Sequence, residues 1–559
     1  MNKFGVKSMS FNRQVFNLIV LCFVFTLFAN VSFAAVGPNW IEQWGITWTF
    51  DKNISTDGAT GTYRYGTFVN GDYWVIGPVG IISIIPLSQD SGGRIMNGSM
   101  LNPSPTNDSQ GYDNAMYANA YSSSLNKAFN VTSSNPLLLQ SGSSLVSTIS
   151  HPTEGARPQL KAAAVLTVLS IVPSPGSFRP SYSGTDKTIK HNKSQLNYST
   201  LKNLTAVTGT PVMATVAGQF ERPWLDHKNS WAARFQHPSD NMPDYGQTMS
   251  MQIGDAALLL NLNYTNSDKE DLLVGLVQVG IDFYGIAEAG GYWPADGGQC
   301  VGRLLPIQLA GLVLGDEDML AAAELTNSEV IESEAFSPQL PKVIFQELQN
   351  TFYVDALSVS ITQSDNPTAW TPDEDGFGSP ASDPLPYREE HIGLPEFGIR
   401  HLENPTRDNY SFDTLSTYRS INGTASLSHA LAARIMGIKD NWNHDAFFDY
   451  MDRWYGITGG VQHSQSITTF TKNMWDTYRV DYGPIWPDTG TTYALTVNSS
   501  GASDVAISSS PGHGGTTSYT KTVTSDASVN LQTQQYVGSG DSRTRFDGWT
   551  GSVISSSQS

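Results

Sequence analysis

The spacing of apolar positions along this chain changes character twice, and each change predicts a different kind of structure. Between Val36 and Gly218, short runs rich in β-branched residues are separated by Gly, Ser, Asn and Pro. The stretch from Tyr73 to Ile85 predicts two strands broken at Gly77-Pro78, and Leu160 to Val172 and Pro211 to Gln219 predict further buried strands. From Arg222 to Tyr455 the spacing becomes three to four, as in Leu272, Leu276, Val279, Phe283 and Ile286. Asp255 to Leu260, Ile307 to Leu314 and Leu427 to Met436 predict compact helices rich in small residues. Several such helices, joined by long loops of Pro, Gly and Trp, predict a ring of paired helices with functional loops at one mouth. From Thr491 onward Ser, Thr and Gly dominate, with strands expected at Tyr493 to Val497 and Ser528 to Leu531. The fold class expected is multidomain α+β. It comprises a β-sandwich-like domain over 35–220, a central (α/α) toroid over 221–487, and a small β repeat module over 488–559.

The N-terminus changes this picture by placing the chain outside the cytoplasm. Lys3, Lys7 and Arg13 precede an apolar run from Val15 to Phe28, and Ser32 and Ala34 stand where a signal peptidase cuts. Residues 1–34 are therefore expected to be a signal peptide, since the run is shorter than the roughly 20 residues a spanning helix needs. No later segment is apolar enough to span a bilayer, so a secreted or cell-surface protein without a transmembrane span is expected. Of the two cysteines, Cys22 lies in the signal and Cys300 has no intrachain partner, so it is expected to pack as a small hydrophobe. The formal charge of −19 falls to −22 when the three basic signal residues are removed. Such a balance argues against nucleic acid as a partner, because that binding runs on clustered Lys and Arg. Low charge content with abundant Tyr and Trp suits a sugar-binding cleft as well as a core.

Metal, phosphate and nucleophile-elbow motifs are absent from the sequence, so no cofactor is expected; scattered Asp and Asn leave a structural calcium ion open. Polar and aromatic residues concentrate in four loops instead. The first, Phe235 to Gln247, carries His237, Asn241 and Tyr245 between two prolines, with helix capping by Asp240 or Asp244 the plainer reading. The second, Glu288 to Arg303, brackets Trp293 with glycines and ends at Arg303. The third, Tyr387 to His401, packs Arg388, Glu389, Glu390, His391, Glu396, Arg400 and His401 into fifteen residues. It opens an arginine-rich region that includes Arg419, and Arg is the bidentate partner of carboxylate and sulfate. The fourth, Trp442 to Tyr455, reads as structure first, with Asp449 and Arg453 spaced as a helical ion pair.

A β-rich domain beside a helical ring with His, Tyr, Asn and Arg in its loops resembles the secreted toroid polysaccharide lyases of the alginate-lyase and heparinase type. The domain order departs from the heparinase type, in which the helical domain comes first. The resemblance implies β-elimination on a uronate-containing polysaccharide, which acts by neutralising the carboxylate, removing the adjacent proton and protonating the leaving oxygen. The catalytic residues it implies are His237 or His391 as base, Asn241 with Arg388 or Arg400 at the carboxylate, Tyr245 as acid, and Glu396. Trp293, Arg303, Arg400, His401 and Arg419 are the expected substrate contacts. An inverting glycoside hydrolase, pairing Asp240 or Asp244 with Glu389, Glu390 or Glu396, and a non-catalytic glycan-binding or adhesive protein are the alternatives. The segment Arg545-Phe546-Asp547-Gly548-Trp549-Thr550-Gly551 resembles the closing turn of an internalin-type B-repeat, which implies cell-surface association. The chain stops soon after that turn, where a truncated reading frame is expected.

Overall fold

The computed structural model of the protein describes residues 38–105, 109–118, 120–328, 343–364, 389–398, 417–462, 465–487, 492–500, 502–510, 514–524, 530–534, 536–537, 544–545 and 547. The expected signal peptide, Arg388, Arg400, His401 and nearly all of the B-repeat turn lie outside the described residues. The fold is mixed α and β, with several sheets preceding and following a helical region.

In the N-terminal part, a four-stranded sheet runs in the order β1 (Trp40–Gln43), β2 (Ile46–Phe50), β6 (Val79–Ile85) and β8 (Leu137–Leu139). A six-stranded sheet has the order β3 (Ile54–Ser55), β4 (Tyr63–Thr67), β5 (Tyr73–Ile76), β10 (Leu160–Leu169), β9 (Ser143–Ser150) and β7 (Ser99–Leu101). Period-two alternation turns Ile46, Trp48 and Phe50 inward from β2, where they meet Val75, Leu145, Leu166 and Val168 of the other sheet in one core. The buried indole of Trp48 spans the sheets and donates to Ser147 Oγ at 2.9 Å. The two strands expected across Gly77-Pro78 are β5 and β6, and the strand expected from Leu160 is β10. The strand expected at Pro211 to Gln219 is instead the short helix Met213–Ala217. Its Val216 and Ala217 pack into the core of the helical region, and an apolar run that short carries no period to distinguish the two states.

The helical region contains α1 (Gly246–Leu260), α2 (Asn266–Glu288), α3 (Leu304–Leu314), α4 (Thr417–Met436), α5 (Asp445–Thr458) and α6 (Thr469–Tyr478). Thr265 and Asp268 form a reciprocal capping box at the start of α2. Helix α1 packs on α4, α2 on α3, and α4 on α5. Small residues permit the close approaches: a Cβ on Gly254 of α1 would lie 1.9 Å from Ser428 Oγ of α4. Cys300 is buried, as expected, and burial pushes its thiol pKa up. No helix of the described residues is long and apolar enough to cross a membrane. The Ser/Thr/Gly-rich C-terminal part holds β-strands, among them Thr492–Val497 paired with Tyr519–Thr524.

One buried ion cluster joins the N-terminal sheets to the helices. Arg179, on the linker after β10, donates through Nε to Asp72 at 2.5 Å, and through Nη1 and Nη2 to Asp282 of α2 at 2.9 and 2.6 Å. Burial opposes the guanidinium charge, but the two carboxylates outweigh it and its pKa rises. Removing the arginine would leave two carboxylates buried without a counter-charge. Arg179→Ala is therefore expected to destabilise the protein by about 3–5 kcal/mol, read as a lowered denaturation midpoint. An unchanged midpoint would show that the cluster does not tie the two parts together.

Candidate functional site

The loop from Glu221 to Tyr245 is built onto the start of β10. Ser239 N donates to Leu160 O at 3.1 Å, Asp240 N to Lys161 O at 2.9 Å, and Gln159 N to Phe235 O at 2.9 Å. It then turns inward at Trp224-Leu225-Asp226-His227-Lys228, every one of which is buried. Asp226 is the centre of this turn. Its carboxylate accepts from Arg303 Nε at 2.8 Å, Trp293 Nε1 at 3.0 Å and His237 Nε2 at 3.1 Å. Burial works against its charge, yet Arg303, the largest opposing influence, and His237 hold its pKa down to about 2. His237 Nδ1 faces the carbonyl of Pro243 at 2.9 Å. Both ring nitrogens are therefore engaged within the protein.

These placements correct several expectations. His237 is 1 % exposed with both nitrogens held by Asp226 and Pro243 O, so neither reaches a substrate proton. Trp293 is 1 % exposed and stacks on Phe345, with ring centroids 5.5 Å apart, so it offers no face to a sugar. Arg303 spends its charge on Asp226, and Asn241 donates to the carbonyls of Arg222 and Pro223 at 3.3 and 3.4 Å. Glu396 is fully buried between Arg419 and Arg453, which removes Glu396 and Arg419 from substrate contact and Glu396 from a hydrolytic pair. Arg453 thus pairs with Glu396 and not with Asp449, which accepts from Tyr353 Oη at 2.5 Å. His391 is buried, in the short turn Glu389–His391. Asp240 pairs with Arg222 at 3.1 Å; the residue before α1 is Tyr245, and no side chain caps that helix.

Among the described residues, Tyr245 is a predicted site residue that the fold leaves half-buried at a surface. It stands at the start of α1, where the loop before α3 and the beginning of α4 also meet. Gly297 has φ +55° and lies against the ring of Tyr418, while a Cβ on Gly298 would fall 2.3 Å from Ile421 Cγ2 and 2.6 Å from Tyr245 Oη. Gly297 O accepts from Asn422 Nδ2 at 2.9 Å and from Gln346 Nε2 at 2.5 Å, so the loop is held by two neighbours. Beside it, Glu347 accepts the Gly302 and Leu304 amides at 3.2 and 2.9 Å, satisfying donors at the start of α3. The guanidinium of Arg234 lies over the Tyr245 ring, 5.2 Å from its centroid, and pairs with Asp244 at 3.2 Å, which also accepts from Arg157 at 2.7 Å. Burial, more than any charge, pushes the Tyr245 phenol above its ordinary pKa.

Trp231 and Arg234 belong to the 3-10 turn Trp231–Phe235, in which residues three apart project on the same side. Trp231 is 41 % exposed, and Tyr117, 62 % exposed, lies 6.3 Å from it between ring centroids. An aromatic platform, a guanidinium and a phenol thus follow one another along a single rim. The sequence reading missed Tyr117, Trp231, Arg234 and Asp226. The available signals were the three-residue spacing of Trp231 and Arg234, and three consecutive polar residues set directly after Trp224-Leu225. No protein-family model matches the chain, and no curated protein or solved structure matches it.

Beside Asp226, the ring of His227 is wedged edge-on between Tyr112 and Tyr182, and neither of its nitrogens has a hydrogen-bond partner. Burial holds its pKa down to about 3, so the folded protein keeps the ring neutral. An unfolded chain takes up this proton below its ordinary pKa of 6.5, so stability falls as pH drops from there toward about 3. His227→Phe is expected to flatten the stability profile in that window by up to about 1.4 kcal/mol per pH unit. The check is a series of denaturation midpoints against pH; identical slopes for the two proteins would refute it.

Proposed function

We propose that this protein is an exported carbohydrate-active enzyme that cleaves a uronate-containing polysaccharide by β-elimination, with its helices arranged as an (α/α) toroid. The observation that carries the proposal is the rim Tyr117–Trp231–Arg234–Tyr245. Exposed aromatic faces suit pyranose rings, whose axial C–H groups present an apolar surface. Arg157 and Arg234 share the carboxylate of Asp244, and the Arg234 guanidinium beside Tyr245 is the group assigned to meet a uronate carboxylate and acidify the carbon beside it. Tyr245, kept protonated by burial, supplies the proton to the leaving oxygen. With His237 engaged and His391 buried, the proton removed from that carbon passes to solvent in this proposal. The C-terminal β module is assigned to cell-surface association.

Incubation with alginate, polygalacturonate and a glucuronan, followed by ultraviolet absorbance, tests the proposal directly. Elimination leaves an unsaturated, absorbing end, whereas hydrolysis leaves reducing ends only. Tyr245→Phe is expected to lower turnover by on the order of 10²–10⁴-fold with the fold intact. Trp231→Ala is expected to raise KM more than it lowers kcat. Reducing ends without absorbance would favour a hydrolase, and polysaccharide retention without shortening would favour a binding protein; either result overturns the proposal.

A further inference from the structure

Between the linker after β10 and the outer face of α2 lies a cavity of about 420 Å³, and none of its lining residues belongs to the rim. Its wall is the segment Ser181 to His191 on one side and Ile281 to Ala289 on the other. The segment is fixed from within. The buried Lys187 ammonium donates to the carbonyls of Ser181, Ser183 and Gly184 at 2.7, 3.0 and 2.7 Å, and Ser183 Oγ donates to Pro103 O at 2.7 Å. Three acceptors around one nitrogen call for three donors, which an ammonium provides. Gly285 lets the wall close, since a Cβ there would lie 2.2 Å from Ser181 Cβ. A wall held this way needs little ordering when a ligand enters.

We infer that this cavity is a second glycan site, taking a short uncharged sugar or polyol, and this inference does not depend on the elimination proposed for the rim. Half-buried Tyr284 supplies an aromatic face beside Ile281 and Phe178. The exposed carboxylates of Asp186 and Glu288 and the hydroxyls of Thr185 and Thr188 line the same cavity, offering acceptors and donors to a polyhydroxylated ligand. Lys190 sits 3.4 Å from both carboxylates, so its two ion pairs are long and its protons remain available to a ligand oxygen.

Electrostatics decides the class of sugar. Arg179 is neutralised by Asp72 and Asp282, and burial draws the pKa of His191 down. Lys187, enclosed by carbonyls, and Lys190 therefore stand against Asp186 and Glu288, while Glu288, Asp318 and Asp316 add to burial in lifting the Tyr284 phenol to about 12. An anionic sugar meets this excess of carboxylates at close range. A cation meets Lys190. An uncharged polyol meets neither penalty and satisfies the polar wall.

Titration calorimetry and saturation-transfer NMR on the full chain, with maltose, cellobiose and lactose against digalacturonate, test the inference. At least one neutral disaccharide is expected to bind saturably, and digalacturonate not at this cavity. Thr185→Trp, which fills the mouth from an exposed position, and Tyr284→Ala should each weaken that binding by about tenfold or more. Trp231→Ala should leave it unchanged. Melting curves separate lost binding from lost fold, and the exposed Thr185→Trp keeps the test open if Tyr284→Ala unfolds. Absence of saturable neutral-sugar binding, tighter binding of digalacturonate at the cavity, or binding that survives Thr185→Trp and is lost with Trp231→Ala would each overturn the inference. None of these results bears on elimination at the rim, which Tyr245→Phe reads separately.

Discussion

The carboxylate of Asp226 is the constraint on which the arrangement of the candidate site depends. It is fully buried, and it draws together side chains from three stretches of chain: His237, Trp293 and Arg303. A buried carboxylate is tolerable only if it is paired and hydrogen-bonded, and here three donors converge on its two oxygens. Satisfying it fixes the loop before α1 against the loop before α3. Tyr245 and Gly298 belong to those two loops, so the place where the phenol meets the loop before α3 follows from a charge deeper in the protein. The rim is thus set by what lies beneath it.

The same logic runs through the rest of the molecule. Arg179 joins Asp72 and Asp282, Glu396 lies between Arg419 and Arg453, and Arg479 with Arg434 meets Asp452. In each case burial raises the cost of the charge and the opposite charge offsets it. Such clusters add little to stability when intact but are costly to break, so their contribution is geometric: each permits one arrangement of the elements it joins. Cationic side chains of a strongly acidic chain are in this way consumed internally.

Much of the architecture was legible in the sequence, because periodicity reports burial directly. The strand pair across Gly77-Pro78, the long strand from Leu160 and the helical face Leu272–Ile286 all appear with the expected element type. Met213–Ala217 was misread because five residues contain too little period to decide. The functional reading of the loops fared differently. His, Arg, Glu and Trp in a Gly/Pro-rich segment have the same composition whether they face a substrate or each other. Only the fold distinguishes Trp293, stacked against Phe345, from Trp231, exposed beside Tyr117. Sequence spacing held a hint at Trp231 and Arg234, but it means something only once that segment is known to be a 3-10 turn.

A protein with a formal charge of −19 faces a conflict if its substrate is a polyanion. Long-range repulsion between solvent-exposed charges is screened beyond a Debye length of about 8–10 Å, so what matters is the field close to the rim. There Arg157 and Arg234 stand beside Asp244 and Asp296, whereas the cavity beside α2 sets Asp186, Glu288, Asp316 and Asp318 against Lys187 and Lys190. Two surfaces of different local charge therefore coexist on one acidic chain, and the two proposals rest on that difference. Their separation rests on the Arg179 cluster: Asp282, which anchors it, lies on α2 next to Ile281 and two residues before Tyr284, both in the cavity wall. By neutralising Arg179 among carboxylates, the junction keeps a strong positive charge out of that cavity.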